Sequence, residues 1–258
     1  MVNVKTEVVQ NKNGDRVARV SIDNATRLNC VSREIAVEIR EAFASLSEDG
    51  ELRAVVLTGE GDRAFIGGAD LKQLGRLDHD GARLMITALH RACAAIRHCP
   101  VPVIARVNGF CLGAGLEIAA SCDMRAAADT AVFGMPEVHM GLPSVIEAAL
   151  LPGLIGWGKT REILLTGETF GAQDALAMGL VETIAPASDL DGAVDRWLDA
   201  ICRAAPEAVR AQKALMTRWE RSSVAEGIQA GIDALAEAYD TGEPQSRIQA
   251  FFATKGRS

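Results

Sequence analysis

Histidine is scarce in this chain, with four in 258 residues, and the six cysteines form no C-x-x-C pair. A zinc site wants such ligands closely spaced, so no metal is expected. Cys30, Cys93, Cys99, Cys111, Cys122 and Cys202 are scattered, which reads most simply as reduced thiols in a cytoplasm. Basic residues do not prevail: 27 Lys and Arg stand against 34 Asp and Glu, a net charge of −7. That balance speaks against nucleic acid as a partner, and any anionic ligand must be met by local cations or helix N-termini. No run of 18 apolar residues exists, so no membrane span is expected. The first twenty residues lack a charged start followed by an apolar core, so no signal peptide is expected. No internal repeat at a fixed period and no low-complexity linker is present. What remains is 48% hydrophobic and 24% charged, an ordinary globular balance in one compact domain with an appendage.

The pattern along the chain alternates strands with helices. "KTEVVQ" and "RVARVSI" flank "NKNGD", the signature of an Asn-Gly hairpin. Ile35, Ile39, Phe43 and Leu46 recur at helical spacing behind Ser32. "RAVVLTG" (53–59) and "VPVIARVNG" (101–109) read as buried strands, with a helix over 81–98 that Pro100 stops. A short helix from Gly113, then the strand-like "DMRAAA" and "AVFGMPEV", follow. This is an α/β layer architecture with parallel pairing. Strand signals cease near residue 190, and helices are expected around Val194–Ile201, from Pro206, over Val224–Tyr239 and in the last segment. The division is therefore a core over 1–190 and a helical region over 191–258, packed on the core or on a neighbouring subunit.

Glu117, in "GFCLGAGLEIAASCD", has only Gly113, Ala114, Ala120 and Ser121 one turn away on its helix. A glutamate on a helix is ordinarily solvated, yet this helix has almost no other polar group. A carboxyl among apolar neighbours with no cation should have its pKa raised, which suits proton transfer near neutrality. "AFIGGADLKQL" (64–74) has the same form of apolar residues, glycines and a helix start. Two such turns can present unpaired main-chain N–H groups to one carbonyl oxygen. Glu137, after Pro136 in "FGMPEVHMGLPS", is a second candidate acid, although taken alone it is a loop residue. "GLIGWGKT" (153–160) matches the phosphate-binding G-x-x-x-x-G-K-[ST] pattern, but Pro152 and "IEAALL" precede it where a strand is required. Nucleotide binding is refused on that ground. "GAG" at 113–115 likewise lacks a dinucleotide fingerprint's third glycine, since Ile118 occupies its place.

Taken in order, "RLNCVS" (27–32), "AFIGGADLKQL", the stretch 100–143 and "LPGLIGWGKTREILLTGETFGAQDALAMGLVE" (151–182) resemble the crotonase superfamily of enoyl-CoA hydratases and isomerases. The resemblance implies a spiral of ββα repeats and a C-terminal helical trimerisation region, with trimers that commonly pair into hexamers. It implies an acyl thioester of coenzyme A as the ligand and no cofactor besides. Matched residue by residue, the backbone N–H groups of Ala69 and Ala114 are the implied oxyanion-hole donors. Glu117 and Glu137 are the implied catalytic pair, the first taking a proton from water and the second supplying the α-proton. Arg27, Leu28, Gly68, Asp70, Leu71, Lys72, Gly113, Pro136, Gly141 and Lys255 fall on the substrate or its CoA. After Pro143 the chain departs from the glycine-rich run of many hydratases and reads "SVIEAALL". Glu147 there is either a third polar group near the acyl pocket or an exposed helix residue. Double-bond isomerisation is the alternative reaction, and CoA binding without turnover the alternative class.

Overall fold

The computed structural model describes residues 3–255. β1 (Val4–Gln10) and β2 (Arg16–Ile22) form an antiparallel hairpin. Its turn is held by Asn11, whose side-chain oxygen accepts from the N–H groups of Asn13 and Asp15 at 2.8 and 3.0 Å. α1 (Arg33–Ser47) starts where Ser32 accepts from the N–H of Ile35, and it buries Ile35, Ile39, Phe43 and Leu46. These are the positions that the helical spacing singles out.

A repeating unit follows. β3 (Leu52–Gly59) and β4 (Ala64–Ile66) lead to α2 (Leu71–Leu74) and α3 (His79–His98). β5 (Val103–Val107) and β6 (Phe110–Leu112) lead to α4 (Ala114–Ala120). β7 (Met124–Ala128) and β8 (Val132–Gly134) lead to 3₁₀ turns over Pro136–Met140 and Ile146–Leu150, then α5 (Leu151–Thr166). The chain then passes through β9 (Thr169–Gly171), α6 (Ala172–Ala177) and β10 (Thr183–Ala185). Each turn leaves its longer strand in a six-stranded sheet, ordered β1-β2-β3-β5-β7-β10, and its short strand in a four-stranded sheet, β4-β6-β8-β9. Apart from β1–β2 and β8–β9 the pairing is parallel. Parallel strands covered on both faces carry continuous apolar runs: Val103, Ile104, Ala105 and Val107 of β5 are all fully buried. Of the second sheet only β8, inside "AVFGMPEV", was legible in the sequence, because three-residue strands are too short to show a period of two.

α7 (Leu190–Arg203) lies on the large sheet and buries Leu190, Ala193 and Val194. α8 (Pro206–Trp219) begins with its proline in the first turn, as expected. α9 (Val224–Asp240) and α10 (Glu243–Lys255) complete the helical region. α9 leaves Val224, Ile228, Ile232, Leu235 and Tyr239 exposed along one side. "GLIGWGKT" lies inside α5, which kinks at Gly156, and Lys159 pairs with Glu162 at 2.8 Å. No strand feeds it, so the phosphate-loop context is absent. No helix among the described residues is long and apolar enough to cross a membrane.

Candidate active site

The site is built where two strand-to-helix turns of successive repeats lie side by side. The first is 66–70, after β4. Gly68 faces the second turn, since a Cβ placed on it would lie 3.4 Å from the carbonyl oxygen of Leu112. The second is 112–115, after β6. Gly115 admits the closest approach: a Cβ there would sit 2.1 Å from the carbonyl oxygen of Ile66, so only glycine allows the start of α4 to rest on β4. Ala69 pairs with Val31 through its neighbours, Gly68 O accepting from Val31 N and Asp70 N donating to Val31 O, each at 2.9 Å. That leaves the N–H of Ala69 outside the ladder. Ala114 is the first residue of α4, where an N–H has no partner within the helix. Among the described residues, neither amide donates to an acceptor of the chain.

The loop at 27–31 packs against the first turn. Leu28 and Asn29 adopt left-handed conformations, φ 53° and 55°. Leu28 O accepts from Gly67 N at 2.8 Å. The buried Asn29 amide donates to the carbonyls of Glu60 and Ala64 at 3.0 and 2.8 Å, pinning the loop. Arg27 bonds Asp70 at 2.8 Å, and Asp70 accepts from the N–H of Lys72 at 2.9 Å at the start of α2. Leu71 and Lys72 are exposed, and the Lys72 ammonium forms no ion pair among the described residues. The Lys255 side chain falls outside the described residues.

Two acids meet beside the second turn. Glu117 lies one helical turn beyond Gly113, whose carbonyl accepts from its N–H at 3.1 Å. Helical side chains lean toward the N-terminus, so the Glu117 carboxyl leans back toward Gly113. Glu137, in the 3₁₀ turn that Pro136 begins and the left-handed Gly141 ends, comes to the same place. A Cβ on Gly113 would lie 2.3 Å from Glu137 Oε1, and Gly113 has φ 52° and ψ −119°, so no side chain fits there. Ser144 Oγ donates to Glu137 Oε2 at 2.9 Å.

Glu117 is 4% exposed. Burial, then the charge of Glu137, pushes its carboxyl up to about 8, with a further contribution from Glu147 and against hydrogen bonds from the main chain of Ala148 and Val145. The rise expected from its apolar helix is thus present, and a second acid adds to it. The Ala148 N–H lies 3.4 Å from Glu117 Oε1. Two groups escaped the sequence reading: the Ala148 amide and His90, whose Nδ1 stands 2.8 Å from Glu147 Oε1. Glu147, left open between pocket and surface, is 5% exposed and therefore inside. Among the described residues no three His, Cys, Asp or Glu side chains are grouped as metal ligands would be.

The family model for enoyl-CoA hydratase/isomerase matches residues 12–256. The chain is a member of that family. It is similar to the short-chain-enoyl-CoA hydratase of Clostridium acetobutylicum, at 31% identity over 95% of this chain and 94% of that one. It is 29% identical to the crotonyl-CoA hydratase of Syntrophomonas wolfei, over 92% of each chain. The crystal structure of an enoyl-CoA hydratase from Bacillus anthracis matches with a TM-score of 0.92 at 28% identity, covering 98% of this chain and 96% of that one. The α/β spiral anticipated from the resemblance is the fold observed.

Proposed function

We propose that this family member hydrates an enoyl-CoA thioester, adding water across the α,β double bond. The observation that carries the reading is the convergence of Glu117 and Glu137 at Gly113, beside two turns whose Ala69 and Ala114 amides have no partner among the described residues. Addition of hydroxide character to the β-carbon sends negative charge onto the thioester oxygen. Two preorganised amide donors at that oxygen lower the barrier, each worth about 2.7–4 kcal/mol in comparable sites.

The acids divide one proton between them. Burial and the charge of Glu137 raise the Glu117 carboxyl to about 8, so the two acids act as a coupled pair near neutrality. Glu117 takes the proton that water loses as its oxygen bonds the β-carbon, and Glu137 delivers one to the α-carbon. The proton returns across the pair before the next turnover, so atoms and charge balance. Water is the only other reactant, and coenzyme A enters as part of the substrate, with no further cofactor.

Lys72, unpaired beside the 27–31 loop, is the cation suited to a CoA phosphate, with Lys255 a second; Arg27 serves the same loop through Asp70. The exposed apolar side of α9 supports assembly of copies into a trimer or a dimer of trimers. The six free cysteines suit a reducing cytoplasm.

The test is turnover of crotonyl-CoA, followed by loss of conjugated-thioester absorbance and by appearance of 3-hydroxybutyryl-CoA. Glu117→Gln and Glu137→Gln should each lower the rate at least about 100-fold with the assembly intact. Migration of a 3-enoyl double bond without hydroxyacyl product would assign isomerisation instead. Tight CoA binding with no turnover would leave a binding protein.

A further inference from the structure

The third acid is not used by this chemistry. Glu147 sits between α3 and α4, buried, with Oε1 on His90 Nδ1 at 2.8 Å and Oε2 buried without a hydrogen-bond partner among the described residues. The segment that carries it is bent to an unusual degree: Ile146, a β-branched residue, has φ 39°. Such a conformation is disfavoured for that side chain and persists where the surroundings require it. The bend turns the main-chain N–H groups of Val145 and Ala148 toward Glu117 and at the same time places the Glu147 carboxyl inside. His90 does not demand this arrangement, because its side chain is 54% exposed and water could serve it. A buried carboxylate oxygen with no donor is costlier than a satisfied polar group or an apolar side chain of the same volume. The arrangement is explained by a donor that arrives with the ligand.

Position selects which part of the ligand. The thioester oxygen is assigned to Ala69 and Ala114 and the double bond to Glu117 and Glu137; Glu147 neighbours Glu117, since the Ala148 N–H that follows it meets the Glu117 carboxyl and its charge acts there. The CoA-side residues Arg27, Asp70 and Lys72 belong to the other turn. Around the Glu147 carboxyl stand Glu117 of α4, His90 and Cys93 of α3, and, across Glu117, Glu137; none of these is a permanent cation. We propose that Glu147 reads a hydrogen-bond donor, a hydroxyl or a protonated amine, on the acyl chain beyond the double bond. The substrate class is an ω-substituted polar enoyl-CoA rather than a plain alkyl one. This rests on the enoyl-thioester reading above.

The experiment compares kcat/KM for trans-2-hexenoyl-CoA with its 4-, 5- and 6-hydroxy and 6-amino derivatives. The comparison is a ratio within each protein, so a general change in rate cancels. One substituted chain should be preferred by at least about 10-fold in the parent, the range a hydrogen bond to a charged group provides. Glu147→Leu should reduce that ratio to near one. Glu147→Gln should keep a hydroxyl preference, through its amide oxygen, and lose an amine preference, which separates the two donors. Should the leucine variant not fold, the isosteric glutamine variant with the amino substrate carries the same test. A parent ratio near one for every derivative, or a preference that survives Glu147→Leu, overturns the proposal while hydration itself stands. Failure of the parent to hydrate any enoyl-CoA overturns the reading beneath it and this assignment together.

Discussion

Glu117→Gln keeps the side chain's shape and an oxygen for the Ala148 N–H, but removes the ability to ionise. The folded protein holds the Glu117 carboxyl at about 8 against an ordinary 4.5. A carboxyl raised in this way contributes stability that is complete below the unfolded value and lost as pH climbs through the folded one. Between pH 5 and pH 9 the parent should therefore lose about 4 kcal/mol at this one position, from roughly 1 at pH 5 to about 5 at pH 9, at 1.36 kcal/mol per pKa unit. Glutamine has no such dependence. Its buried NH₂ needs acceptors, and leaving them unmet costs about 1–3 kcal/mol. The variant should then be slightly less stable than the parent at pH 5 and about 2–4 kcal/mol more stable at pH 9, a rise in Tm of roughly 5–10 °C. The assay is thermal and urea unfolding of both proteins at equal subunit concentration across that range. Parallel stability curves would refute the reasoning, since they would mean that Glu117 ionises as readily in the fold as outside it. The same substitution should abolish most hydration, so the site trades stability for function.

The pH–rate profile tests who holds the proton: kcat/KM for hydration should rise as pH climbs through about 8, where Glu117 ionises and can act as the base, whereas a fall there would make Glu117 the acid. Gly113→Ala places a methyl 2.3 Å from Glu137 Oε1 at a positive φ; it should cut the rate at least about 100-fold and lower stability by about 1–3 kcal/mol, read from kcat and urea midpoint. Ser144→Ala removes the donor to Glu137 Oε2 and should lower kcat about 10-fold with little change in KM. Leu235→Asp, on the exposed apolar side of α9, should reduce the assembled mass seen by light scattering, and an unchanged mass would remove that face from the interface.

Local chemistry alone determined much of this protein. The Asn-Gly hairpin, the spacing of Ile35, Ile39, Phe43 and Leu46, and Pro206 at a helix start are interactions between near neighbours in the chain. They leave a readable period. Glu117 was conspicuous for the same reason: its small, apolar neighbours lie one turn away. The rejection of "GLIGWGKT" as a phosphate loop needed only the residues before it. Tertiary structure decided what depends on register between distant strands. β4, β6 and β8 are three residues each, yet their parallel pairing sets Gly115 on Ile66 and brings the turns of Ala69 and Ala114 together. Glu137 meets Gly113 across 24 positions, and Glu147 meets His90 across 57. No periodicity spans such separations. "SVIEAALL" shows why: as letters it favours a plain helix, but in the fold Ile146 turns left-handed, the helix becomes a 3₁₀ turn, and an acid that could have faced water points inward. A residue's burial is set by whatever packs against it, and for Glu147 that is helices α3 and α4, which no window around position 147 contains.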